Sequence, residues 1–167
     1  MRSDHQVGRS YGRKGKTPTI SGTGRRFGCN MISALTNQGQ LAFMVYPERF
    51  TTQVFLEFLR RLVRHADRKV FLVVDGHSVH RARKVQAWVA RRPQQIEMFF
   101  LPGYSPQLNP DELLNNDVKS NAVGRRRPAN QEELMSGVRS YVRSRQRQPH
   151  IVRRYFKHQD VRYAAAE

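Results

Sequence analysis

The spacing of apolar and polar residues changes several times along the chain, and each change marks an element. GCNMISALT and LAFMVY are two runs of strand character separated by Asn37-Gln38-Gly39-Gln40, a hairpin signal. Pro47 closes the second run. Thr51 or Thr52 then caps a helix in which Val54, Phe55, Phe58, Leu59 and Leu62 recur at helical spacing. Arg60, Arg61 and Arg64 occupy other positions of that helix. Val70–Val74 is a short continuous apolar run, the pattern of a strand buried on both faces. A second helix is predicted over about 79–91, with Val85, Trp88 and Val89 apolar, and Pro93 ends it. Residues 96–101 read as another strand. Asn109 is placed to cap a third helix, with Pro110 in its first turn and Gly124 as its stop. Leu134, Val138, Tyr141 and Val142 define a fourth helix over 131–147. Pro149 interrupts, and a short helix follows around Ile151, Val152, Tyr155 and Phe156.

The resulting order is β-β-α-β-α-β-α-α-α. A hairpin followed by β-α-β units predicts a mixed sheet with helices packed on it. Residues 1–24 lack periodicity and read as a basic irregular arm. Residues 25–124 form the expected core, and 125–167 a helical extension of the same domain.

Charge changes the picture most. The 167 residues include 30 Lys+Arg against 13 Asp+Glu, a formal charge of +17. Such a balance speaks to partners rather than to fold, and a phosphate polymer is the natural partner. Cys29 is the only cysteine, so no internal disulfide can form, and it reads as a small core hydrophobe in a reducing cytoplasm. No apolar run approaches the ~20 residues of a membrane span, and the amino terminus has no apolar signal-peptide region.

Against this basic background two carboxylates stand out. Asp75 ends the run VFLVVD, at the carboxyl end of a predicted parallel strand, where open α/β sheets collect ligands. Asp111 and Glu112 open the helix after the loop LPGYSPQLNP. Neighbours on a helix point about 100° apart, so one of these two faces the site, and helical angles do not select which. The structural alternatives are a helix cap for Asp75 and dipole-favoured acids for the other two. Carboxylates on rigid elements suit divalent metal ions. Two such ions ~3.5–4 Å apart can stabilise the attacking and leaving oxygens of a phosphoryl displacement, and magnesium prefers oxygen ligands. His77 and His80 have a metal-compatible spacing, but no further ligands accompany them for zinc. His80 instead reads as a residue that contacts phosphate or orients Asp75.

VFLVVDGHSVHRARKVQAWV and IEMFFLPGYSPQLNPDELLNNDVKSN resemble the DDE-type transposases of bacterial insertion sequences, in the branch related to mariner elements. Asp75 and His80 match a strand-end motif V-D-x-x-x-x-H. Leu101, Pro102, Tyr104, Ser105, Pro106, Leu108, Asn109 and Pro110 match the loop that precedes the family's third acid, which makes Glu112 that acid. Gly8 to Pro18 also resembles the family. The resemblance implies an α/β, ribonuclease H-like mixed sheet flanked by helices, with Asp75 and Glu112 catalytic and holding Mg2+ or Mn2+. It implies cleavage of DNA at element ends and transfer of the 3′ end into target DNA, in the cytoplasm beside the nucleoid.

The family's first acid lies on a strand before the segment matched by Met1 to Pro18. The expectation is therefore a split or truncated form lacking that strand, with little activity alone. Its partner would be a second copy or an upstream transposase fragment. Two positions depart from the family pattern: Gly103 replaces a usual proline, and Asn115 stands where an aromatic is usual. Lys119, seven residues after Glu112, shares its helix face and is a candidate phosphate contact, as are Arg125, Arg126 and Arg127. Arg25, Arg26 and the arginines between 139 and 147 could extend that surface. The alternative function is a non-enzymatic basic DNA-binding remnant.

Overall fold

The computed structural model describes residues 1–3, 14–15, 27–103, 105–123 and 128–165. The element order is the one expected from the pattern. β1 (Asn30–Leu35) and β2 (Leu41–Tyr46) form an antiparallel hairpin with Ser33 opposite Phe43. α1 (Thr52–Arg64) follows, capped by the Thr51 hydroxyl on the Val54 amide. β3 (Val70–Val74) and β4 (Ile96–Phe100) are parallel and joined through α2 (Arg83–Ala90). α3 (Pro110–Val118) runs directly into a π-helical turn (Lys119–Val123). α4 (Gln131–Gln146) and α5 (Pro149–Tyr155) complete the helices, followed by a 3-10 turn (Gln159–Ala164).

Alternation along β2 explains the layering. Leu41 and Val45 point into a core shared with Leu114, Val118, Leu134, Val138, Val142 and Val152, so α3, α4 and α5 cover that face. Met44 and Tyr46 point the other way, into a core with Phe55, Phe58, Leu59, Leu72, Val74, Val85 and Ile96. A period of two thus feeds two cores from one strand. The hairpin turn is pinned from outside. Gly39 has φ 92°, and a Cβ there would lie 2.6 Å from the Pro149 carbonyl oxygen, so glycine is required both by conformation and by contact.

Three expectations need correction. Both kinds of strand pairing are present, but as two separate two-stranded ladders rather than one continuous mixed sheet among the described residues. β3 is buried on one face only: Leu72 and Val74 face α1 and α2, whereas Phe71 and Val73 are 64% and 56% exposed. Phe99 on β4 shares that open face. A continuous apolar run cannot distinguish one covered face from two, because it carries no alternation. α2 begins at Arg83 rather than near Val79. Residues 75–82 are instead held in turns, with the His77 amide on the Asp75 carboxylate and the His80 amide on the His77 carbonyl.

Candidate active site

Asp75 leaves the end of β3 at the rim of the parallel ladder. Its Oδ1 accepts the His77 amide at 3.0 Å and lies 2.9 Å from His80 Nδ1. The same ring nitrogen is 3.2 Å from the Asp75 carbonyl. With oxygen acceptors on both contacts, Nδ1 carries the proton. The His80 ring is buried, at 8% exposure, against Phe50 and Phe55. Burial lowers its pKa, and the neighbouring Asp75 only partly offsets this. The ring thus sits beside Asp75, in a position to orient that carboxylate. The Asp75 side chain itself is 51% exposed, so its carboxylate is available to a ligand.

The second rim is built by the loop after β4. The Leu101 amide continues the ladder to the Val74 carbonyl at 2.8 Å. A 3-10 turn (Pro106–Leu108) follows, and Tyr163 from the carboxyl-terminal turn donates to the Leu108 carbonyl at 2.8 Å. Asn109 then caps α3, its side chain accepting from the Asp111 amide at 3.0 Å. Pro110 supplies a helical φ and lacks the amide hydrogen that would go unused there. Asp111 and Glu112 therefore occupy the first turn.

The structure separates these two acids. Asp111 turns inward: Ser33 on β1 donates to its Oδ1 at 2.5 Å and Asn115 to its Oδ2 at 3.3 Å. Burial pushes its carboxyl group up to about 7, helped by the charges of Glu112 and Asp75, while the Ser33 and Asn115 bonds pull the other way. Asp75 thus stands at the end of β3, and Asp111 and Glu112 in the first turn of the helix that follows β4. Asn115, where the resemblance expects an aromatic, is the donor that helps hold Asp111.

Helical angles left Asp111 and Glu112 unresolved, the resemblance selected Glu112, and Ser33 was given no role. One signal was available. Met31 and Leu35 pack into the α3-side core, so a serine at the same phase of β1 requires a polar partner there. Asp117 was also missed. It accepts hydrogen bonds from Asn121, Tyr141, Arg145 and Tyr155, tying α3 to the π turn, α4 and α5. Lys119 is half-exposed at the end of α3. Arg25, Arg26, Tyr104, Gly124, Arg125, Arg126 and Arg127 lie outside the described residues, as does most of the basic arm.

The donor chemistry fits a hard divalent cation in kind: carboxylate oxygens, one of them well exposed, with a third acid crowded by their charge. Among the described residues no group of three metal-ligating side chains is assembled.

Comparison with known proteins identifies the class this arrangement belongs to. Residues 1–135 match the family described as DDE superfamily endonuclease, and the chain belongs to that family. Among solved structures, the fold is similar to that of the Mos1 mariner paired end complex with Mn, at a TM-score of 0.60 and 17% identity. The match covers 97% of this chain and 52% of that one, so the chain spans about half the length of that relative. This likeness establishes the ribonuclease H-like α/β fold class. No curated protein matches the chain. No helix among the described residues is long and apolar enough to cross a membrane.

Proposed function

We propose that this chain is the catalytic portion of a DDE transposase that cleaves DNA at element ends and joins the freed 3′ ends to target DNA. The observation that carries the reading is the placement of Asp75, its carboxylate half-exposed at the end of β3, and of Glu112, in the first turn of α3, at the two positions that match the acids of the family to which the chain belongs. Asp75 and Glu112 would hold Mg2+ or Mn2+, which supplies charge neutralisation to the phosphodiester under attack. His80 fixes the orientation of Asp75. Ser33, Asn109 and Asn115 fix the first turn of α3 and so the placement of Glu112. Lys119 and the cluster Arg125, Arg126 and Arg127 would neutralise DNA phosphates. Residues 25–124 act as the core, and 125–167 as its helical extension.

We further propose that activity depends on a further segment, from an upstream transposase fragment or a second copy.

The test combines metal and DNA. Isothermal titration with Mn2+ is expected to give heat that Asp75→Asn abolishes, and the chain alone is expected to leave element-end DNA uncut. Robust cleavage lost in Asp75→Ala would refute the dependence on a further segment. The formal charge of +17 also suits a second reading, a basic DNA-binding remnant, and salt-sensitive DNA binding without metal heat would select it.

A further inference from the structure

At the opposite end of the β3–β4 ladder from Asp75, the turn between α2 and β4 encloses an open cavity of about 740 Å³. Lys84, Trp88, Arg91, Arg92, Gln94 and Gln95 line it. Five-residue strands at ~3.3 Å per residue place it roughly 15 Å from the Asp75 rim. Lys84, Trp88 and Arg91 recur at four and then three residues, so they share one face of α2 and continue off its end. No acidic side chain lines the cavity, and none of its three cations forms an ion pair among the described residues.

Arg92 is already arranged. Its guanidinium lies 4.3 Å from the centre of the Trp88 ring and donates to the Trp88 carbonyl at 3.1 Å. Stacking and this bond fix the plane of the fork and leave its remaining N–H groups available. The Trp88 face toward Arg92 is occupied, so the site favours an anion over a stacked base. Lys84 and Arg91 supply exposed charge beside it, and Gln94 and Gln95 supply neutral donors.

We propose that this cavity is a phosphate clamp for the backbone of duplex DNA, holding it at a distance from the reacting strand. The proposal rests on the reading of DNA as the partner and adds the place where one stretch of it docks. A clamp on this side would set affinity and register without touching the acids.

Trp88 is the chain's only tryptophan, so its emission reports on this cavity alone. The experiment titrates the full chain with random-sequence duplex DNA at several salt concentrations. It follows both the anisotropy of labelled DNA and Trp88 emission. The wild-type chain is compared with Lys84→Gln/Arg91→Gln and with a charge-matched control on exposed α1 positions, Arg60→Gln/Arg64→Gln. DNA is expected to change Trp88 emission. The cavity variant is expected to lower the slope of log affinity against log salt by about 1.8, at roughly 0.9 per lost phosphate contact, with the control little changed. DNA binding with silent Trp88 emission, or with equal slope changes in the two variants, overturns the clamp and leaves the DNA reading standing. Absence of DNA binding altogether overturns both.

Discussion

Asp111 shows how a single side chain reports on its surroundings. Its carboxyl group is raised from 3.8 to about 7 in the fold. Between those values the native state holds a proton that the unfolded chain has released, so stability falls as pH rises from about 4 to 7 and levels off above. Three units at 1.36 kcal/mol each bound the effect at roughly 4 kcal/mol. Asp111→Asn is expected to remove this slope, matching the parent chain near pH 4 and exceeding it by about 2–4 kcal/mol at pH 8. Urea denaturation at pH 4 to 8 measures the difference, and equal slopes in the two proteins would contradict the assignment. Asp117 is the opposite case. Burial works to raise its pKa, but hydrogen bonds from Arg145, Tyr155 and Tyr141 outweigh it and hold the group below the usual carboxylate range. Its stabilisation is present above pH 3.8 and is lost as pH falls further. Asp117→Ala strands Arg145, whose side chain is only 20% exposed. The expected loss is about 3–5 kcal/mol by urea denaturation. In the sequence Asp75 stood out because it ends a strongly patterned strand, whereas Asp111 and Glu112 share one first turn and only the resemblance selected Glu112. Asp117 did not stand out, because its partners come from two later helices and no local spacing reveals them.

The strands and helices were recognisable from period, apolar runs and cap residues, while the burial of each face depended on neighbours. Phe71, Val73 and Phe99 are exposed on one side of the parallel ladder, and among the described residues Lys69 lies 5.2 Å from the centre of the Phe71 ring. The opposite side packs on α1, where Leu59 is fully buried. Val73→Thr is therefore expected to change stability by less than about 1 kcal/mol. Leu59→Ala should cost about 2–5 kcal/mol through lost burial and an added cavity. Thermal and urea unfolding of the two variants measures the contrast, and a comparable loss in both would show that the outer face is covered in solution. The late start of α2 has a local cause. The Asp75 carboxylate and the His77 carbonyl and ring capture the amides of residues 77, 79 and 80 in turns, so the helical period at Val79 begins before helical hydrogen bonding does.

For the molecule as a whole, +17 of formal charge surrounds a small acidic rim. That contrast suits a protein that attracts a polyanion and still gathers cations where the polyanion reacts. Binding to duplex DNA is expected to weaken steeply between 50 and 200 mM salt, and measurement of affinity across that range checks it. Composition revealed this much, and the loop LPGYSPQLNPDE revealed the family. Neither revealed that α3 turns Asp111 toward Ser33, because that choice depends on the hairpin packed against it. The central claim is that residues 75 and 112 serve one cation site although 37 positions separate them. Paramagnetic Mn2+ added to the isotopically labelled chain tests it directly. The account predicts that the amide signals of Asp75, Gly76 and His77 broaden together with those of Asp111 and Glu112, and that Asp75→Asn abolishes both effects. Broadening of one segment without the other, or broadening that survives Asp75→Asn, would contradict it.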